Sequence, residues 1–166
     1  MTDSKIREIS IDELDAAVAR CIFLVWEDTS RRLGLESSPE KILKKQQEFW
    51  LKQEDPLLLI ARDSYGDVVG YRFGHALPPE GNERIFLDQV GGVKPKCRRQ
   101  GVGRALLKEQ HRLARERGYS RIRTGTALDL KPMIILNLQE GFDIVDLQLV
   151  KTDEWQTKCL MFEKRL

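Results

Sequence analysis

The stretch of this chain with the clearest chemical potential is Arg98-Arg99-Gln100-Gly101-Val102-Gly103-Arg104-Ala105. A strand-like pattern ends at Val93, a loop containing two glycines follows, and an amphipathic helical pattern opens near Gly101. The first turn of a helix has backbone N–H groups with no partner inside the helix, and it carries the positive end of the helix dipole. An anion seated there is held by several aligned donors at once. Glycine at positions 101 and 103 removes the Cβ atoms that would keep a phosphate from the main chain. The segment therefore predicts a cradle for a pyrophosphate.

The local charge agrees. The chain as a whole carries a formal charge of +2, yet from Lys94 to Arg123 eleven Lys or Arg stand against only Glu109 and Glu116. Such a block asks for a phosphate-bearing ligand or a nucleic acid, unless it is merely a solvated helix face. Aromatic residues for base stacking are missing there apart from Tyr119, and the chain is near neutral overall, which argues against nucleic acid. Cys21, Cys97 and Cys159 are widely spaced and odd in number, so they form neither a metal-binding nor a disulfide pattern. Cys97 lies in the loop, but backbone atoms would do the binding there. His75 and His111 have no ligand partner at metal spacing, so no metal is expected. His111 shares a helix face with Arg104, Lys108 and Arg115 and is expected at the surface.

The elements that must position this segment can be read from periodicity. The 166 residues, 41% of them hydrophobic, fit one continuous domain over 1–166 with a sizeable core. No apolar run nears the roughly 20 residues needed to cross a bilayer, and the N-terminus has no apolar leader. A reducing, cytoplasmic location is expected. Lys5 to Ile9 reads as a strand. Ser10 and Glu13 form a capping box opening a helix whose apolar stripe is Leu14, Ala17, Val18, Cys21, Ile22 and Val25. Ser38-Pro39 begins a second helix reaching about Lys52. Leu57 to Ala61 and Val68 to Leu77 read as a hairpin, and Ile85 to Val93 as a long strand. A helix over Gly101 to Arg117, with Val102, Ala105, Leu106 and Leu113 inward, ends at Gly118. Tyr119 to Ala127 is a strand, Pro132 to Glu140 a short helix, and Asp143 to Val150 and Thr157 to Glu163 are closing strands.

Arg98-x-x-Gly101-x-Gly103 preceded by Val93-x-Pro95 resembles the acyl-CoA-binding signature of the GNAT N-acetyltransferase superfamily, and is neither a dinucleotide fingerprint nor a Walker loop. The hairpin with Gly70, the Gly141-Phe142 pair and the order of elements from Lys5 to Glu163 resemble that family too. The likeness implies an α/β (α+β) fold: a mixed, mostly antiparallel sheet of six to seven strands, splayed at the fourth and fifth, flanked by about four helices. It implies acetyl-CoA as acyl donor and an amine of a small molecule or peptide as acceptor. Backbone N–H groups of Arg98, Arg99, Gln100, Gly101, Val102, Gly103, Arg104 and Ala105 would bind the pyrophosphate. The pantetheine arm would add beside Val90, Gly91, Gly92 and Val93 like an extra strand. Gly91-Gly92 fits a bulge at the splay or a simple strand-ending turn.

Direct transfer needs a neutral amine, a group to take its proton and an acid for the thiolate. Many members of the family place a tyrosine acid four residues before Gly-Phe, where this chain has Asn137. That residue cannot titrate, so its implied role is a hydrogen bond to the thiol or pantetheine, or else helix packing. Asp88, preceding the splay on the same strand, is the first candidate for proton acceptor, against a plain exposed strand carboxylate. Glu83 and Asp129 are weaker candidates. A non-catalytic acyl-CoA sensor of the same fold is the alternative that Asn137 suggests. Acceptor choice would fall to residues 27–39 and the Trp155 region, with Glu27, Asp28 and Glu36 making an acidic entrance. Oligomeric state stays open, a homodimer included.

Overall fold

A computed structural model describes residues 4–32, 34–151 and 156–166. Met1 to Asp3, read from sequence as polar with no apolar leader, and the Trp155 region lie outside these. Among the described residues there are seven strands, β1 (Lys5–Ile9), β2 (Leu57–Arg62), β3 (Val68–Glu80), β4 (Glu83–Val93), β5 (Arg121–Ala127), β6 (Asp143–Lys151) and β7 (Gln156–Arg165). The helices are α1 (Ala16–Arg32), α2 (Pro39–Trp50), α3 (Val102–Glu116) and α4 (Lys131–Gln139). One sheet contains all seven strands in the order β1-β2-β3-β4-β5-β7-β6. Neighbours are antiparallel except β4 and β5, which run parallel. No described helix is long and apolar enough to cross a membrane.

β2 shows why the sheet has two covered faces. Leu57, Leu59 and Ala61 pack with Leu106 and Leu107 of α3, while Leu58 and Ile60 pack with Val18, Cys21 and Ile22 of α1 and Trp50 of α2. Successive strand side chains alternate between faces, so an unbroken apolar run must be buried on both. Burial also pushes the Cys21 thiol up to about 12, which leaves it an inert core residue.

Local signals explain most element ends, with two corrections. Ser38 caps α2, its hydroxyl accepting the Lys41 amide at 3.3 Å ahead of Pro39. That helix stops at Trp50, two residues before Lys52. The Ser10–Glu13 capping box forms, but closes only a single 3-10 turn over Ile11–Glu13. Asp15 then starts α1, its carboxylate accepting the Val18 amide at 3.0 Å. Gly118, at φ +82, ends α3, with the Tyr119 amide reaching back to the Ala114 carbonyl at 3.1 Å. Gly141 ends α4 in the same way, Phe142 donating to the Asn137 carbonyl at 3.0 Å.

The inward face of α3 differs from the expected one. Val102, Leu106, Leu107, Gln110, His111 and Ala114 are buried, while Ala105 is exposed. The stripe is rotated because two polar residues, Gln110 and His111, sit inside it. His111, expected at the surface beside Arg104, Lys108 and Arg115, is inside instead. His111 is only 5% exposed, lies 5.3 Å from the Phe142 ring, and its Nε2 has no hydrogen-bond partner among the described residues. Burial, with Lys164, Arg72 and Arg115 nearby, holds its pKa down at about 3.

A buried neutral histidine makes stability depend on acid. The unfolded chain takes up a proton below the ordinary value of 6.5, whereas the folded one does not until about 3. Stability present above 6.5 is therefore lost as pH falls through that window, with a slope of up to about 1.4 kcal/mol per pH unit. His111→Gln is expected to flatten the loss of Tm between pH 7 and pH 5, measured by thermal melts. A variant as acid-sensitive as the parent would overturn this account.

Candidate active site

The parallel pairing of β4 and β5 covers Ile85–Asp88 against Arg121–Thr124 and then stops. At the closed end, ion pairs clamp the strands. Arg121 meets Glu80, Glu83 and Glu163 at 2.8, 2.9 and 3.1 Å, and Arg123 meets Glu80 and Glu163 at 2.7 and 2.6 Å. Arg123 and Arg121 together hold the Glu80 carboxyl down to about 2. At the open end the Thr124 hydroxyl donates to the Asp88 carbonyl at 3.0 Å, and beyond it the strands part.

A bulge accompanies the parting, but at Gln89 rather than Gly91-Gly92. Phe73 pairs with Val90 while Gly74 pairs with Asp88, leaving Gln89 as the extra residue. Gly91 and Gly92 pair regularly with Arg72 and Tyr71, so they are neither bulge nor turn. Packing is the reason for glycine there. A Cβ on Gly92 would lie 2.3 Å from Val25 Cγ1, so α1 rests directly on this strand. The parted strands leave a cleft of about 90 Å³, lined by Asp88, Gln89 and Val90 of β4, Thr126 of β5, Trp26 of α1 and Met133 of α4.

Asp88 is 2% exposed, which removes the reading of an exposed strand carboxylate. Its Oδ2 is hydrogen-bonded by the guanidinium of Arg72, itself 5% exposed. Arg72 Nε also reaches Gln110 Oε1 at 3.3 Å. The other carboxylate oxygen, Oδ1, has no partner among the described residues. Burying both charges together replaces lost hydration with a close ion pair. The network joins β3, β4 and α3 directly beside the cleft.

The phosphate-cradle segment folds as a single 3-10 turn at Pro95–Cys97, a loop, and then α3. Arg99 and Gly101 have φ of +63 and +84, so the chain reverses sharply before the helix. Ala105 donates the first helical bond to the Gly101 carbonyl at 2.9 Å, and Arg98 donates to Pro95 at 3.4 Å. These two amides are already used, which narrows the expected donor set. The amides of Val102, Gly103 and Arg104 precede the first helical bond and have no backbone acceptor among the described residues. A Cβ on Gly101 would meet nothing within 4 Å, and one on Gly103 would meet only Val93 Cγ2 at 3.6 Å. Gly101 is needed for its left-handed backbone, whereas Gly103 simply leaves the helix start bare. The residues present thus fit a phosphate ligand, with Val90 to Val93 on the adjoining strand.

The remaining candidates fall in different places. Asn137 is fully buried, its amide donating to the Thr126 hydroxyl at 3.1 Å, so it stands behind a cleft-lining residue. Glu83 lies at the closed end, paired with Arg121 and Arg165, away from the cleft. Asp129 is exposed. His75 is buried against Phe49 and Trp50, its Nδ1 2.8 Å from the Ala76 carbonyl. Among the described residues no His, Cys, Asp and Glu cluster could hold a metal. The acidic entrance is balanced, since Arg31 pairs with Glu27 and Asp28 and Lys41 with Glu36, beside a hollow of about 400 Å³. Sequence reasoning missed Arg72, Trp26, Thr124 and Thr126. An arginine inside an otherwise apolar strand was the one available signal.

The family model described as "Acetyltransferase (GNAT) family" matches residues 18–139. None of the curated proteins compared matches the chain. Among solved structures, a GCN5-related N-acetyltransferase from Kribbella flavida superposes with a TM-score of 0.72 at 16% identity, covering 98% of each chain. The ribosomal-protein-S18-alanine N-acetyltransferase of Escherichia coli gives 0.70 at 15% identity, covering 98% of this chain and 93% of its own. An IAA acetyltransferase from Bacillus cereus gives 0.66 at 15%, covering 99% and 100%. At these identities the likeness is one of fold.

The buried pair makes a stability prediction. Arg72→Met strands the Asp88 carboxylate and is expected to cost about 3–5 kcal/mol in chemical denaturation. Adding Asp88→Leu should recover much of that loss. A single-variant cost below about 1 kcal/mol would show that the pair is not buried as described.

Proposed function

The chain belongs to the GNAT family of acetyltransferases, and from that premise we propose that it moves an acetyl group from acetyl-CoA directly to a primary amine of a small molecule or peptide. The observation that carries the reading is the parting of β4 from β5 immediately before a helix whose first turn is bare. Backbone donors of Val102, Gly103 and Arg104, with the loop of Arg98 to Gly101, would bind the pyrophosphate. The unpaired edge of β4 from Val90 to Val93 would take the pantetheine arm as an added strand. Acetyl-CoA supplies a thioester whose carbonyl is open to an amine.

The chain's own groups set up that reaction. Main-chain N–H groups on the parted strand are fixed donors in a partly enclosed cleft, suited to polarising a carbonyl. The attacking amine must be neutral, and Asp88 Oδ1 is the free carboxylate oxygen available to take its proton. Arg72 holds the other oxygen and so fixes the orientation of the carboxylate. Trp26, Val90 and Met133 supply apolar walls that limit water. Asn137 donates to Thr126 and cannot protonate a thiolate. That substitution favours the second reading, an acyl-CoA sensor without turnover.

Acetyl-CoA at a hundredfold excess over Kd is expected to raise Tm by roughly 5 °C or more. Gly103→Trp should abolish that shift, and the variant is expected still to melt cooperatively, since a Cβ at this position meets only Val93 Cγ2 at 3.6 Å. No shift at millimolar acetyl-CoA would remove both readings. A panel of amines assayed for released thiol separates them, since binding without turnover on any amine supports the sensor. Where turnover is found, Asp88→Asn should lower kcat at least tenfold and move its pH profile. An unmoved profile would clear Asp88 of the proton-accepting role.

A further inference from the structure

Among the described residues, five side chains lining the cleft between β4 and β5 carry hydrogen-bond donors, and their partners sort them. Arg72 is engaged by Asp88 and Gln110, the Trp26 indole donates to the Tyr71 hydroxyl, and the Thr124 hydroxyl donates to the Asp88 carbonyl. Gln89 is exposed at the bulge, where water competes for its amide. Thr126 remains. It follows Thr124 by two residues on β5, so both side chains share one sheet face. It lines the cleft while only 3% exposed. Its oxygen accepts from Asn137 Nδ2 at 3.1 Å, and its own hydrogen has no acceptor among the described residues.

Asn137 fixes which way that hydroxyl works. The residue is fully buried, and its Oδ1 has no partner among the described residues. Turning the amide over would bury both of its N–H groups without acceptors, and orphaned donors are rarer than under-satisfied carbonyl oxygens. The nitrogen therefore faces Thr126, occupies a lone pair of its oxygen, and leaves the O–H to the cleft. A buried hydroxyl hydrogen without an acceptor is costly unless a ligand atom meets it.

We propose that Thr126 donates this hydrogen bond to the sulfur that departs when the acyl group is transferred, with Asn137 as the positioning residue that aims it. The assignment rests on the acetyl-transfer reading. As the amine nitrogen bonds the carbonyl carbon, the carbon–sulfur bond breaks and its electron pair leaves on sulfur, while the amine proton passes to Asp88 Oδ1. A threonine hydroxyl is too weak an acid to give its proton to a thiolate, so it acts by stabilising the developing charge. Sulfur takes a proton from solvent on release and Asp88 returns one there, which closes the balance. The leaving group is thus served by two residues, an amide that cannot titrate and a hydroxyl that need not.

Thr126→Val, Thr126→Ser and Asn137→Leu in the full chain test it, with folding followed by thermal melts and binding by the Tm shift with acetyl-CoA. Thr126→Val is expected to lower kcat about tenfold or more with KM for acetyl-CoA little changed, because the bond is made to a charge that develops in the transition state. Thr126→Ser keeps the hydroxyl and should keep most of kcat. Asn137→Leu should lower kcat in the parent but add nothing in the Thr126→Val background, since it acts only through that hydroxyl. Apart from turnover, the thiol of bound CoA can be titrated by the ultraviolet absorbance of its thiolate. It should titrate about one pH unit higher in Thr126→Val than in the parent, because a donor to the charged form favours that form. If Thr126→Val folds poorly, the double variant with Asn137→Leu removes donor and acceptor together and should show the same loss. A parent that turns over, beside a Thr126→Val variant with unchanged kcat and thiol titration, overturns this assignment alone. A parent with no Tm shift at millimolar acetyl-CoA, or with binding but no turnover on any amine, removes the acetyl-transfer reading and takes this assignment with it.

Discussion

Strands β4 and β5 are hydrogen-bonded over four residue pairs and then separate, and the cost of that separation organises the molecule. Parting two strands in the middle of a sheet leaves backbone donors and acceptors without partners, which is expensive unless water or a ligand satisfies them. The closed end compensates with arginine–carboxylate pairs joining β3, β4, β5 and β7. The open end compensates with the Thr124 hydroxyl on the Asp88 carbonyl and a bulge at Gln89. What stays unpaired is a short edge facing a narrow cleft, the shape that an extended ligand arm can complete.

The same cleft gathers the buried charges. An Arg–Asp pair inside a core is seldom worth its desolvation as a stabiliser compared with apolar residues of similar shape. Here it sits where β3, β4 and α3 meet, and it leaves one carboxylate oxygen unpartnered beside the cleft. α1 closes from the other side, resting on Gly92 through Val25 and presenting Trp26 to the opening. Tyr71 lies buried beneath, its hydroxyl accepting from the Trp26 indole, and burial pushes its pKa up. Position, more than composition, makes these residues a candidate site.

The basic block also changes meaning in three dimensions. Arg112 is used by Glu109 and Glu116 on its own helix, Arg117 by Glu8 and Asp55, and Arg121 and Arg123 by the closed-end clamp. Charges counted together along the chain are thus spent in separate places. Lys96, Arg98 and Arg99 remain around the helix start, where Arg98 Nε bonds the Val93 carbonyl at 3.0 Å. A phosphate cradle requires only that local share.

Local interactions made the fold and the cradle readable. Caps at Ser38 and Gly118, the two-faced apolar run of β2 and the Gly101-x-Gly103 spacing act over a few residues, and short-range sterics and hydrogen bonding decide them. The positions of Asp88, His111, Gln110 and Asn137 could not be read in that way. A carboxylate, a histidine and two amides look like surface residues until partners from distant strands and helices arrive to bury them. The bulge lies at Gln89 and not at Gly91-Gly92 for a related reason, since Gly92 answers to a helix 67 residues away in the chain (Val25 to Gly92) and Gly91 to Tyr71 and Arg72 on the neighbouring strand. The sequence by itself determined where the chain turns, caps and bares its backbone. Tertiary packing decided which polar groups lose their water, because desolvation depends on every neighbour at once.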